Sequence, residues 1–122
     1  MSKKISVLYV DDEPINLRLF ELNFKNAFNV TTALSGFDGL EILKNNPDIP
    51  VVVSDMRMPK MDGIEFIGRA KKEFPHIIFY ILTGYDITEQ ISDALNNRLI
   101  AKYFRKPSNY KEIESTIIDA LS

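Results

Sequence analysis

The sequence predicts an α/β fold of five βα units, (βα)5, a five-stranded parallel sheet doubly wound in the order 2-1-3-4-5. Three observations carry this. Short, β-branched, nearly continuous apolar runs at Ile5–Val10, Val51–Ser54 and Ile77–Leu82 suit strands buried on both faces of a parallel sheet. Segments with apolar residues at helical spacing alternate with these runs. Turn signals arrive regularly, with no repeat, low-complexity tract or linker, so all 122 residues, 1–122, read as one domain. Right-handed crossovers then place helices on both faces, and the switch point falls between strands 1 and 3.

Strand 1 is Ile5–Val10. A first helix over Glu13–Phe28 would put Leu17, Phe20, Phe24, Ala27 and Phe28 on one stripe; a second stripe of Ile15, Leu19 and Leu22 is expected to be partly buried against neighbours. Asn29–Ala33 reads as an outer strand. Ser35, with Asp38 three residues on, caps a helix over Phe37–Asn45 that Pro47 closes. After strand 3, Val51–Ser54, Asp62 precedes a helix carrying Ile64, Ile67, Ala70 and Phe74, ended by Pro75. After strand 4, Ile77–Leu82, Asp86 with Glu89 repeats the cap pattern ahead of Ile87, Ile91, Ala94 and Leu95. Lys102–Arg105 is the other outer strand, and Asn109 with Glu112 opens a last helix bearing Ile113, Ile117, Ala120 and Leu121.

Composition removes several classes of function. No apolar run approaches the ~20 residues of a membrane helix, and the first ten residues lack a signal-peptide core and cleavage site, so a cytoplasmic location without membrane contact is expected. Cysteine is absent, which excludes disulfides, thiolate nucleophiles and the usual structural zinc sites. The single histidine, His76, is expected to play an ordinary loop role. Fifteen basic against seventeen acidic residues leave a net charge of -2, without the electrostatic footprint of direct nucleic-acid binding.

The strand ends are the informative part. Asp11, Asp12 and Glu13 follow strand 1, Asp55 follows strand 3, Thr83 and Gly84 follow strand 4, and Lys106 and Pro107 follow strand 5, all at the carboxyl edge where such sheets bind ligands. Three carboxylates and one ammonium sum to about -2, a charge costly to desolvate without a cation. One divalent ion balances it, and oxygen-only ligands favour Mg2+, with Mn2+ as the alternative. Asp12 and Asp55 would ligate it, with Asp11 helping through water. With phosphate present, Asp55, beside the switch point, is the candidate nucleophile, with the metal and a lysine neutralising the transferred oxygens and a hydroxyl donating a hydrogen bond.

Each piece alone has an ordinary reading. Asp12 or Glu13 with Pro14 could simply start a helix, Asp55–Pro59 could be a polar turn, and Thr83-Gly84 a strand terminus. Gly63 and Gly68 have phosphate-loop spacing, but Arg69-Ala70 stand where Lys and Ser or Thr are required.

Taken together, Val10-Asp11-Asp12-Glu13-Pro14, Ser54–Pro59 with Met61-Asp62-Gly63, Leu82-Thr83-Gly84 and Lys106-Pro107 resemble the receiver domain of two-component response regulators, from Ile5 to Leu121. The resemblance implies the flavodoxin-like fold and a phosphorylation-dependent switch. Asp55 would be the phosphoacceptor, served by a sensor histidine kinase or histidine phosphotransfer protein. Asp12, Asp55 and the Arg57 backbone carbonyl would ligate Mg2+ directly, with Asp11 in an outer role. Thr83 and Lys106 would contact the phosphoryl oxygens, and Tyr103 would couple to Thr83 when the domain switches. The Lys106–Pro107 bond is often cis in the family. Helix 4, strand 5 and helix 5 would form the output surface for an output domain or partner that the sequence does not name, with phosphorylation-dependent homodimerisation as a further expectation.

Such a domain is not a conventional enzyme; it assists its own phosphorylation and dephosphorylation. Two rivals stand beside it. A phosphate-independent interaction module would not need the full set Asp11, Asp12, Asp55, Thr83 and Lys106. An aspartyl-phosphate phosphohydrolase usually carries a second Asp two residues after the nucleophile, where this chain has Arg57.

Overall fold

The computed structural model describes residues 4–84, 87–107 and 109–122. Its elements, in order, are β1 (Ile5–Val10), α1 (Pro14–Phe24), β2 (Phe28–Ala33), α2 (Gly36–Asn45), β3 (Val51–Asp55), α3 (Gly63–Glu73), β4 (Ile78–Thr83), α4 (Glu89–Asn96), β5 (Lys102–Arg105) and α5 (Tyr110–Ala120). The strands form one parallel sheet in the order β2-β1-β3-β4-β5. Fold and strand order are those the sequence predicts.

Strand alternation sorts the core into two layers. Leu8, Val10, Val52, Phe79 and Ile81 meet Leu43, Phe66, Ile67 and Ile91 of α2, α3 and α4 on one face. Val7, Tyr9, Val51, Val53, Tyr80, Leu82 and Phe104 meet Leu17, Phe20, Phe24, Ile113 and Ile117 of α1 and α5 on the other. Central strands are therefore largely apolar on both faces, and β3 is buried throughout. Phe66, with no exposed surface, is the kind of side chain whose burial contributes about 2–3 kcal/mol.

The caps follow the sequence in three of four places. Ser35, Asp62 and Asn109 each accept a backbone N–H from the first turn of their helix, from Asp38, from Glu65, and from Lys111 and Glu112. The fourth differs. Thr88 caps α4, its Oγ1 accepting from Ile91 N at 3.2 Å, so the helix starts at Glu89 and Ile87 lies outside it, exposed. The expected cap, Asp86, lies outside the described residues, as do Tyr85 and Ser108.

Other boundaries shift for physical reasons. The first helix ends at Phe24, not Phe28. Phe28 instead opens β2 opposite Ile5 and reaches the same core from the sheet, with its ring 5.8 Å from Phe24. Helical spacing carried past the helix end because the next strand serves the same layer. Ile15, Leu19 and Leu22 are not partly buried; they are 66%, 46% and 49% exposed. In α5 only Ile113 and Ile117 are buried, while Ala120 and Leu121 face solvent. His76 lies in the α3–β4 connection, with Nε2 3.0 Å from the Pro47 carbonyl. Among the described residues no helix is long and apolar enough to cross a membrane.

Candidate functional site

The carboxyl edge of the sheet holds five of the seven residues picked from sequence. Asp55 and Thr83 are the last residues of β3 and β4 rather than the first beyond them, because the ladder runs one residue further than the apolar runs: Asp55 is opposite Leu82, and Thr83 opposite Arg105. The strand backbone therefore fixes both side chains. Asp11 extends β1 in the same way, its N–H donating to the Ala33 carbonyl at 3.1 Å. Lys106 extends β5, its N–H donating to the Thr83 carbonyl at 2.8 Å, and the following Lys106–Pro107 bond is cis.

Asp11 is fully buried, and its carboxylate is occupied on both sides. Oδ1 accepts the Glu13 N–H at 3.0 Å, which satisfies the entrance of α1 in place of a side-chain cap. Oδ2 accepts the Tyr9 hydroxyl at 2.7 Å and lies 3.4 Å from Lys106 Nζ. Lys106 Nζ is also 3.6 Å from Asp55 Oδ1, so one ammonium is shared between two carboxylates. Asp55 Oδ1 further accepts the Met56 N–H at 3.0 Å. Asp12 is partly exposed, and one carboxylate oxygen from each of Asp11, Asp12 and Asp55 lies within 4.8 Å of the others.

These charges perturb one another. Burial, and next to it the Asp11 charge, pushes the Asp55 carboxyl up to about 6, against the pull of the Lys106 ammonium and the Met56 N–H. Tyr9, stacked on Phe20 with ring centroids 4.1 Å apart, is pushed well above the ordinary phenol range by burial and by Asp11. Three converging carboxylate oxygens, an elevated acid and no nitrogen or sulfur donor fit a hard divalent cation. Such an ion would supply the charge that one lysine leaves unbalanced.

The two remaining residues are Arg57 and Tyr103. Arg57 follows Asp55 by two positions in the β3–α3 loop, with its side chain exposed. Tyr103 is half-buried, opposite Ile81, and packs on the α2–α3–α4 side of the sheet. By alternation this is also the side of Thr83, one dipeptide further along.

The roles of two residues are not evident from the sequence. Gly63, at the first turn of α3, donates its N–H to the Met56 carbonyl at 2.7 Å, and a Cβ there would run into the Asp55 backbone carbonyl. Any side chain at Gly63 would displace the strand end that carries Asp55. Tyr9 looked like one more core residue; its only signal was the two-residue spacing to Asp11, which puts both on one face of the strand.

The profile of the response regulator receiver domain matches residues 7–118. The chain belongs to the response regulator receiver domain family. It is 33% identical over 119 residues to sporulation initiation phosphotransferase F of Bacillus subtilis, covering 96% of this chain and 92% of that protein. It is 30% identical over 105 residues to the hydrogenase transcriptional regulatory protein HoxA of Cupriavidus necator, covering 86% of this chain and 22% of that protein. A response regulator receiver domain protein from Clostridium thermocellum superposes with a TM-score of 0.84 at 31% identity, over 94% of this chain and 92% of that one. The receiver domain thus spans 22% to 27% of the length of several transcriptional regulators that it matches.

Proposed function

We propose that this receiver domain is a phosphorylation-controlled signalling switch with Asp55 as the phosphoacceptor. The observation that supports it most is the meeting of Asp11, Asp12 and Asp55 oxygens within 4.8 Å beside an ammonium 3.4 Å and 3.6 Å from two of them. Asp12, Asp55 and the Arg57 backbone carbonyl would hold Mg2+, with Asp11 acting through water. A bound Mg2+ supplies positive charge against the phosphoryl oxygens.

The transfer step is a displacement at phosphorus in which solvent supplies the one proton needed. An Asp55 carboxylate oxygen attacks the phosphorus of a phosphohistidine, the P–N bond breaks, and its electron pair leaves with the imidazole, which takes up a proton. The product is an acyl phosphate on Asp55. Lys106 and Thr83 steady the phosphoryl oxygens as charge builds on them. Water later attacks the same phosphorus, returning the Asp55 carboxylate and inorganic phosphate. In this reading the domain is not a conventional enzyme, since it is itself the substrate.

Phosphate on Asp55 would draw Thr83 toward it and change the packing of Tyr103, biasing a two-state equilibrium of the α4–β5–α5 surface. The partners are a histidine kinase or phosphotransfer protein on the input side and an output domain or protein on the other, in the cytoplasm, with homodimerisation through the output surface as one readout. The test is intact mass and NMR of the protein with acetyl phosphate, or beryllofluoride, and Mg2+. Modification at one site that disappears in Asp55→Asn is expected. A folded wild-type protein that is neither modified nor shifted would overturn the reading in favour of a phosphate-independent module.

A further inference from the structure

Resting on that function, we propose that Tyr9 is a positioning residue of the phosphorylation site: its buried hydroxyl holds Asp11 so that Lys106 stays shared with Asp55. Tyr9 is 1% exposed and Asp11 fully buried, so no solvent competes for their hydrogen bond of 2.7 Å. The phenol cannot wander, because its ring is stacked face to face on Phe20 of α1, with planes 8° apart.

The consequence lies in how Asp11 divides its acceptor capacity. Oδ1 is taken by the Glu13 N–H and Oδ2 by the Tyr9 hydroxyl. Lys106 Nζ then approaches Oδ2 only to 3.4 Å, almost as far as its 3.6 Å from Asp55 Oδ1. A buried carboxylate oxygen that loses the shorter of its two hydrogen bonds draws in the remaining donor, and that donor is Lys106, 3.4 Å away. Removing the Tyr9 hydroxyl therefore draws the ammonium onto Asp11 and away from Asp55, where the phosphoryl oxygens would need it. This is the logic by which a group outside the reacting centre orients the groups inside it.

The test is Tyr9→Phe, which keeps the ring and its stacking. A crystal structure of the metal-free variant is expected to show Lys106 Nζ closer to Asp11 and farther from Asp55. Phosphoryl uptake from acetyl phosphate, read by intact mass, should slow about fivefold, the scale of one hydrogen bond. In an Asp11→Asn background the same substitution should have no further effect on uptake, because the influence passes through Asp11. An unmoved Lys106 in Tyr9→Phe overturns the proposal, as does an equal slowing in both backgrounds, which would assign Tyr9 a packing role alone. If the wild type takes up no phosphoryl group, the switch function fails, while the position of Lys106 still decides what Tyr9 does.

Discussion

Gly63 packs its α-carbon against the backbone carbonyl of Asp55, with no room for a methyl group between them. The contact joins the start of α3 to the end of β3, and the Gly63 N–H to Met56 carbonyl bond of 2.7 Å closes the same turn. Because the obstructing atom is backbone, Gly63→Ala must move either the helix or the strand end. Overpacking of this kind costs about 1–3 kcal/mol. Urea unfolding should report that loss, and acetyl phosphate modification should fall more than stability alone explains.

The elevated Asp55 carboxyl, about 6 when folded against ~3.9 for an unfolded Asp, makes stability depend on pH. Between these values the folded state binds more protons, so this group's contribution falls as pH rises. It is complete below about pH 4 and lost as pH passes through about 6. Asp55→Asn escapes the loss. In metal-free buffer the variant should equal wild type near pH 4 and exceed it by about 2 kcal/mol above pH 7, allowing for solvent screening in a partly open site. Urea midpoints measured from pH 4 to 8 would show the divergence; parallel curves would contradict it.

Lys106→Met removes the positive charge that holds Asp55 down. The Asp55 carboxyl should then titrate above the wild-type value of about 6, as followed by 13C NMR of the carboxylate. Uptake from acetyl phosphate should slow sharply, since the transferred oxygens lose a cation. Charge-assisted contacts of this kind are worth about 1.5–3 kcal/mol, or roughly tenfold to a hundredfold in rate.

If the phosphodonor docks on the exposed stripe of α1, donor recognition there is separable from the chemistry at Asp55. Ile15 is 66% exposed and lies in the first turn of α1, three residues after Asp12. Ile15→Ala should leave stability within about 0.5 kcal/mol, as for an ordinary surface change. Transfer from the cognate phosphohistidine protein should slow, while uptake from acetyl phosphate should not. Equal transfer rates from the protein donor would remove Ile15 from the docking surface.

The layers and strand order were legible because buried parallel strands need unbroken apolar runs, and β1, β3 and β4 have them. Asp11, Asp12, Asp55 and Thr83 were legible because each stands where such a run meets polar sequence, and Lys106 because it follows the last strand ahead of a proline. The errors came where one pattern serves two elements. Phe28 continues the spacing of α1 but pairs in β2, and Thr88 does the capping work that an acidic residue upstream seemed placed to do. Gly63 and Tyr9 stayed hidden because their roles are relations across the fold: one depends on a distance to another residue's backbone, the other on where a phenol ends after its ring has found Phe20.

The pleat of β4 divides labour between the two layers. Tyr80 and Leu82 face the compartment of α1 and α5, which also receives the Asp11 and Asp55 side of the sheet, while Phe79, Ile81 and, by alternation, Thr83 face that of α3 and α4, where Tyr103 packs. The sheet is thus a partition between two layers, with the acidic cluster at its carboxyl rim. The proposed α4–β5–α5 surface draws on both compartments, with α4 packed in one and α5 in the other, whereas α1 packs in one alone.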